Sequence, residues 1–314
     1  MTQVADPSAR PPVPGPPRAR GLQRLNPFYG LKRPREVWAW AMYDLANQSF
    51  TLHINTLLFA IFFKQVIVQD DKRGDGLWGL VVASSLLLVV IVSPIAGAVA
   101  DFKAWKKRFL IGLGVMCVIF TCSLGLLEPG WVWVAIALYI PANFAFALGE
   151  NFLAAFLPEL AEPRNLGRVS AIGWTSGYVG ALVLLLGTVG AMILFDLAET
   201  AQWRPFLVFA GVWFLVMATP TALILKERQR PQPVPPGHTM VGIGFRRLAD
   251  TISEAKRFRH FLTFLAGFFT YSMGVQTMIF FAVIIAADFG FEGTRLVWFL
   301  LPVTVMAGVG AVGA

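Results

Sequence analysis

The chain is poor in charge, cysteine and histidine, and each shortage removes a class of protein. Charged residues make up 14% of its 314 positions, against about a quarter in a soluble globular domain, so a large soluble core is not the first expectation. The two cysteines, Cys117 and Cys122, lie five apart in one apolar run and point in different directions on a helix. They form no disulfide framework or metal spacing and read as packing residues. His53, His238 and His260 are scattered and no His-Glu-x-x-His occurs. No Walker loop follows a strand, so the chain does not hydrolyse ATP by itself, and Gly242-Ile-Gly244 is too short for a dinucleotide site. No nucleophile, base and metal stand together, so neither an enzyme, a cofactor nor a metal is expected. Residues 1–36 lack an apolar signal-peptide core and are rich in Pro and Arg. Positions 1–37 are therefore expected to be a disordered cytoplasmic tail.

Long apolar runs are what the sequence does have. Hydrophobic residues reach 56%, with ten Trp and 27 Phe, and the mean hydropathy is +0.65. A helix needs about 20 mostly apolar residues to cross the hydrocarbon. Eight stretches qualify: 38–66, 77–100, 109–127, 131–157, 168–195, 204–225, 260–287 and 295–314. Because lipid offers backbone groups no partner, an all-α polytopic membrane bundle is expected, with six spans followed by two.

The net charge of +8 does not point to nucleic acid, because the basic residues sit in short loops between apolar runs. With the N-terminus inside, the cytoplasmic segments hold 21 of the 26 Lys and Arg, which places the N-terminus in the cytoplasm of an inner (plasma) membrane protein. The segment 226–259 contains several prolines, then a basic amphipathic stretch, and reads as a linker along an anionic leaflet. It divides a six-helix half, 38–225, from 260–314.

Six spans, a long basic loop and a restart is the layout of a two-half transporter. Tyr43, Gln48 and Ser49 in the first span are echoed by Tyr271, Gln276 and Thr277 in the seventh. The second and eighth spans open with Trp78 and Trp298. These offsets put a second copy of Asp101 near positions 321 to 329, past the end of the chain. About four further spans are therefore expected beyond it.

Two of the 18 acidic residues lie well inside apolar spans, Asp44 and Glu150, each roughly 10 Å in from the cytoplasmic face. A charge there needs a wet cavity, a partner or a proton. The first span carries Asp44, Asn47, Gln48, Thr51 and Asn55, and the fourth carries Tyr139, Asn143 and Glu150, each set spaced to share one helix face. Two such stripes line an aqueous path for a small-molecule substrate, or satisfy each other as interhelical glue. Protons bound at Asp44 or Glu150 are candidates for the coupling ion. His53 falls on the opposite face and reads as a packing histidine. Trp174 and Tyr178 share a face and are candidates for substrate contact or packing. Gly173, Gly177 and Gly180 are expected at a close helix crossing.

Gly97-Ala-Val-Ala-Asp101, followed by Lys103, Lys106 and Lys107, resembles the loop motif between the second and third spans of the major facilitator superfamily. In that family the acidic and basic residues form a cytoplasmic network that joins the two halves. Phe102, Ala104 and Trp105 stand where the motif often has Arg, Gly and Arg. Glu159, Arg164 and Arg168 are candidates for the same network. More narrowly, the segments 40–47, 156–160 and 167–174, with Gly274-Val-Gln276-Thr277, resemble the vacuole-effluxer-like branch, related to an autophagy permease that exports amino acids. That branch usually has Asn-Asp before this glycine, where Ser272 and Met273 stand here. The resemblance implies a secondary transporter of a small solute, with amino acids as the substrate class and Gln276 beside its path. A non-transporting membrane scaffold with the same fold is the alternative.

Overall fold

The computed structural model describes residues 26–197, 199–233, 239–255 and 258–313, and these contain helices and no strand. Most of the expected 1–37 tail lies outside the described residues, as does His238. We number the helices α1 (Pro34–Val68), α2 (Asp71–Lys103), α3 (Lys106–Leu124), α4 (Val132–Ala154), α5 (Leu166–Leu194), α6 (Arg204–Ile224), α7 (Met240–Ala255), α8 (Arg259–Asp288) and α9 (Thr294–Gly313). Seven of them, α1–α6 and α8, are long and apolar enough to cross a membrane, and the part Thr294–Gly310 of α9 forms a shorter apolar helix. The expected spans all fall on these helices, but several extend past the apolar run. For example, α2 starts at residue 71 rather than 77, because Asp70 accepts a bond from the Arg73 amide (3.0 Å) and caps it.

Packing is uneven in a way that suits lipid. Phe59, Phe62, Trp78 and Tyr139 are fully buried, whereas Leu80, Val90, Leu186 and Leu223 are exposed on the outer faces. An exposed apolar shell around a closed helical core has lipid as its natural solvent.

α1 is the hub, packing on α5 and α6. It is not a uniform α-helix. From Phe50 to Thr56 the backbone widens to a π-helix, and the Leu57 amide donates to the Leu52 carbonyl at 2.7 Å. A π segment shifts the side-chain register that a regular helix would keep. On α5, Gly177 faces the Gln48 amide, and a Cβ there would lie 3.1 Å from Gln48 Nε2. Gly173 faces Trp40 and Asp44 so closely that any side chain would overlap them, and Gly180 lies on Leu45. The three glycines mark the α1–α5 crossing, as their spacing predicts.

We call the end of the bundle that carries residues 103–108, 159–168 and 226–233 the basic end. α8 packs on the bundle through Phe280, Val283, Ile284 and Ala286, near its opposite end, where the Trp78 indole donates to the Phe280 carbonyl (3.3 Å). Toward the basic end α8 is exposed at almost every residue from Arg259 to Met278. Its neighbour α9 lies on α5, with Gly308 against Tyr178.

Candidate functional site

The π segment divides the polar stripe of α1 into two groups. Its far part forms a closed network. Tyr139 donates to Asn55 Oδ1 (2.9 Å), Asn55 donates to Asn143 Oδ1 (3.0 Å), and Asn143 donates to Ser85 Oγ (2.7 Å). All four are buried, with Asn143 at 1% exposure. The stripes had left cavity lining and interhelical glue as alternatives; these four side chains tie α1, α2 and α4 together as glue. Ser85 was not singled out from the sequence, since a lone serine in an apolar run carries no spacing signal.

The near part is open. Asp44 and Gln48 are half-buried and Glu150 is exposed. Asn47 is 1% exposed and its Nδ2 lies 3.4 Å from Glu150 Oε1, while Asn47 Oδ1 has no hydrogen-bond partner among the described residues. Thr51 is half-buried and is hydrogen-bonded to neither group. Among the described residues, α4 carries neither Lys nor Arg, α5 carries only Arg168 near its start, and α1 carries Arg35 near its start and Lys64 at its far end. Among the described residues, the charges within the spans beside Gln48 and Asn47 are the carboxylates Asp44 and Glu150.

Other candidates fall elsewhere. Gln276 and Tyr271 are exposed on α8, whereas their sequence counterparts Gln48 and Tyr43 are half-buried and buried. Trp174 is exposed, with its ring centroid 6.2 Å from that of Tyr178. His53 is buried between helices, with Nε2 2.8 Å from Thr188 Oγ1 on α5 and its ring edge-on to Phe209 of α6.

At the end opposite the basic one, Lys64 is 3% exposed and pairs with Asp75 and Asp288, both at 3.0 Å. One ammonium therefore joins α1, α2 and α8. Sequence reasoning missed this group, because 224 residues separate Lys64 from Asp288.

At the basic end the loop motif forms a network with the linker and with Glu159. Asp101 pairs with Arg247 of α7 (3.1 Å), and its carbonyl accepts from Gln229 (2.9 Å). Lys106 pairs with Glu159 (3.1 Å), and Arg33 donates to the Glu159 carbonyl. Glu227 accepts from the Lys106 and Lys107 amides (2.8 and 3.1 Å), capping α3. Arg228 grips Glu36 with both terminal nitrogens, at 2.6 and 2.8 Å, and that bond holds the guanidinium above its usual pKa. The residues that depart from the family motif take other partners here. Phe102 lies under Arg247 (4.8 Å) and Trp105 under Lys103 (4.5 Å), as cation–π platforms. Ala104 ends α2 with φ of 54°, a left-handed conformation that explains why the motif favours glycine there. Gly97 has open space around its Cα. Arg164 pairs locally with Glu162, and Arg168 donates to the Pro27 carbonyl, so neither joins the Asp101 network.

Membrane-length helices around a polar seam, with a charged motif between the second and third, define a polytopic helical bundle of the major facilitator type. The chain belongs to the family described as vacuole effluxer Atg22 like, whose model matches residues 79–314. It is 26% identical over 280 residues to the uncharacterized MFS-type transporter YxiO of Bacillus subtilis (strain 168), covering 86% of this chain and 64% of that protein. It is 24% identical over 263 residues to autophagy-related protein 22 of Coccidioides immitis (strain RS), covering 64% and 43%. With autophagy-related protein 22 of Gibberella zeae it shares 33% identity over 117 residues, covering 35% and 18%. The chain thus spans less than two thirds of the length of these curated relatives.

Proposed function

We propose that the full-length protein is a secondary transporter that works by alternating access. The observation that carries this reading is the asymmetry of the polar seam. Asp44, Asn47, Gln48 and Glu150 lie together in the half of the bundle nearer the basic end, and the opposite end is drawn together by Lys64, Asp75 and Asp288. Such an arrangement admits a solute from the basic end and blocks its exit at the opposite one. The concentration of Lys and Arg supports a basic end, and an N-terminus with it, on the cytoplasmic side of a plasma (inner) membrane. The described chain then comprises a six-helix half, 38–225, a cytoplasmic linker, 226–259, and the first two helices of a second half, 260–314.

The site holds a small solute by its amides and carboxylates. The family resemblance supports amino acids as the class, and Asp44 or Glu150 carries the coupling proton. No residue is assigned a catalytic role. Counterflow by the purified full-length protein in liposomes tests the reading: saturable exchange is expected for at least one solute among amino acids, peptides and sugars. No exchange in any class contradicts it.

A further inference from the structure

A second feature lies on the face of α1 that carries Tyr43, about 100° round the helix from Asp44. Between α3 and α6 runs a shallow open groove of about 60 Å³ whose lining is almost wholly apolar, including Leu110, Val115, Val118, Phe214, Leu215 and Ala218. Its floor is Tyr43, buried at 4% exposure, with its hydroxyl 3.4 Å from the Leu110 carbonyl and its ring edge-on to Phe214. Gly114 keeps that floor accessible, since a Cβ there would stand 3.1 Å from the Tyr43 hydroxyl.

One charged residue, Lys107, lines this groove, and it sits at the basic end. Its neighbour Lys106 is bound to Glu159. By contrast, the half-buried Lys107 side chain has no ion pair or hydrogen bond among the described residues, although its backbone amide reaches Glu227. Arg108 next to it, and Lys226 just past the end of α6, are both exposed. An apolar trough on a lipid-facing flank, ending at Lys107 with the exposed Lys226 and with Arg108 stacked on Trp105 (5.3 Å) beside it, is complementary to an amphiphile with a negative head.

We propose that this groove binds one anionic phospholipid, with an acyl chain along Leu110, Val115 and Phe214 and the phosphate on Lys107. Charge complementarity selects the occupant. A zwitterionic lipid has no net charge to offer Lys107, Arg108 and Lys226, and another apolar helix would leave Lys107 without a partner in hydrocarbon. The site rests on different residues from the transport reading and is tested without a transport assay. Since Tyr43 precedes Asp44, lipid in the groove also supports the helix that carries the polar seam.

The test is native mass spectrometry of the full-length protein released from nanodiscs of mixed phosphatidylglycerol and phosphatidylcholine. Wild type is expected to retain one more phosphatidylglycerol than Lys107→Gln or the groove-filling Ala218→Phe. Retention by Lys107→Gln should weaken about tenfold, as for loss of one charge-assisted hydrogen bond. Ala218→Ser, which leaves the groove open, should keep the lipid, and so checks Ala218→Phe against general misfolding. Equal phosphatidylglycerol retention by wild type and Lys107→Gln would overturn the proposal, as would equal retention of the two lipids by wild type.

Discussion

Replacing Asn143 with leucine isolates the buried part of the polar stripe. The amide accepts from Asn55 and donates to Ser85, so Asn143→Leu removes two interhelical bonds at similar side-chain volume. Ser85 keeps its own bond to the Val82 carbonyl (2.7 Å), but Asn55 Nδ2 is left in a site where the residue is 2% exposed. Interhelical hydrogen bonds in membranes contribute about 0.6 kcal/mol on average, and stranding a buried donor adds about 1–3 kcal/mol. The expected loss is therefore roughly 2–4 kcal/mol. Asn55→Leu should cost a similar amount, because it strands the Tyr139 hydroxyl. The double variant should cost less than the sum by about 1 kcal/mol, since each change removes a group that the other strands. Reversible unfolding in mixed micelles measures all three. Single-variant losses under about 0.5 kcal/mol, or strict additivity, would refute the network as a structural element.

Further expectations follow from single contacts. Ala104→Gly should stabilise the protein by roughly 0.5–1 kcal/mol, because it relieves a left-handed alanine at the end of α2, and unfolding by the same assay checks it. Gly173→Leu should destabilise the α1–α5 crossing by about 1–3 kcal/mol through overlap with Trp40 and Asp44, whereas Gly187→Ala, which meets nothing within 4 Å, should be near neutral. Lys64→Gln should loosen the end held by Asp75 and Asp288 and speed thiol labelling of a Phe280→Cys reporter on the far side of Trp78. About tenfold faster labelling is expected for each 1.4 kcal/mol by which the closed form is weakened.

The apolar helices were legible because a membrane span must be long, apolar and internally hydrogen-bonded, and those demands are local. The glycine crossing was legible for the same reason: its spacing lies on one helix. Periodicity placed Asp44 through Asn55 on one face, and it failed where the π segment from Phe50 to Thr56 changed the register. Nothing in the residue types of 50–56 announces that change. The Lys64 group and the Arg228–Glu36 pair were not legible, because their members are 224 and 192 residues apart and each looks like an ordinary loop or helix-end charge. The loop motif showed where Asp101 would matter but not its partner. Arg247 became that partner only once α7 lay against α2, where Gly244 meets the Pro94 carbonyl.

The most direct measurement is solute counterflow and pH-gradient-driven uptake by the full-length protein in liposomes, comparing wild type with Glu150→Gln. If Glu150 handles the coupling proton, the variant should keep counterflow and lose gradient-driven accumulation, because exchange without a gradient needs no net proton movement. Unchanged gradient-driven uptake in Glu150→Gln would contradict the role given to this residue, and absence of counterflow in wild type would contradict transport itself.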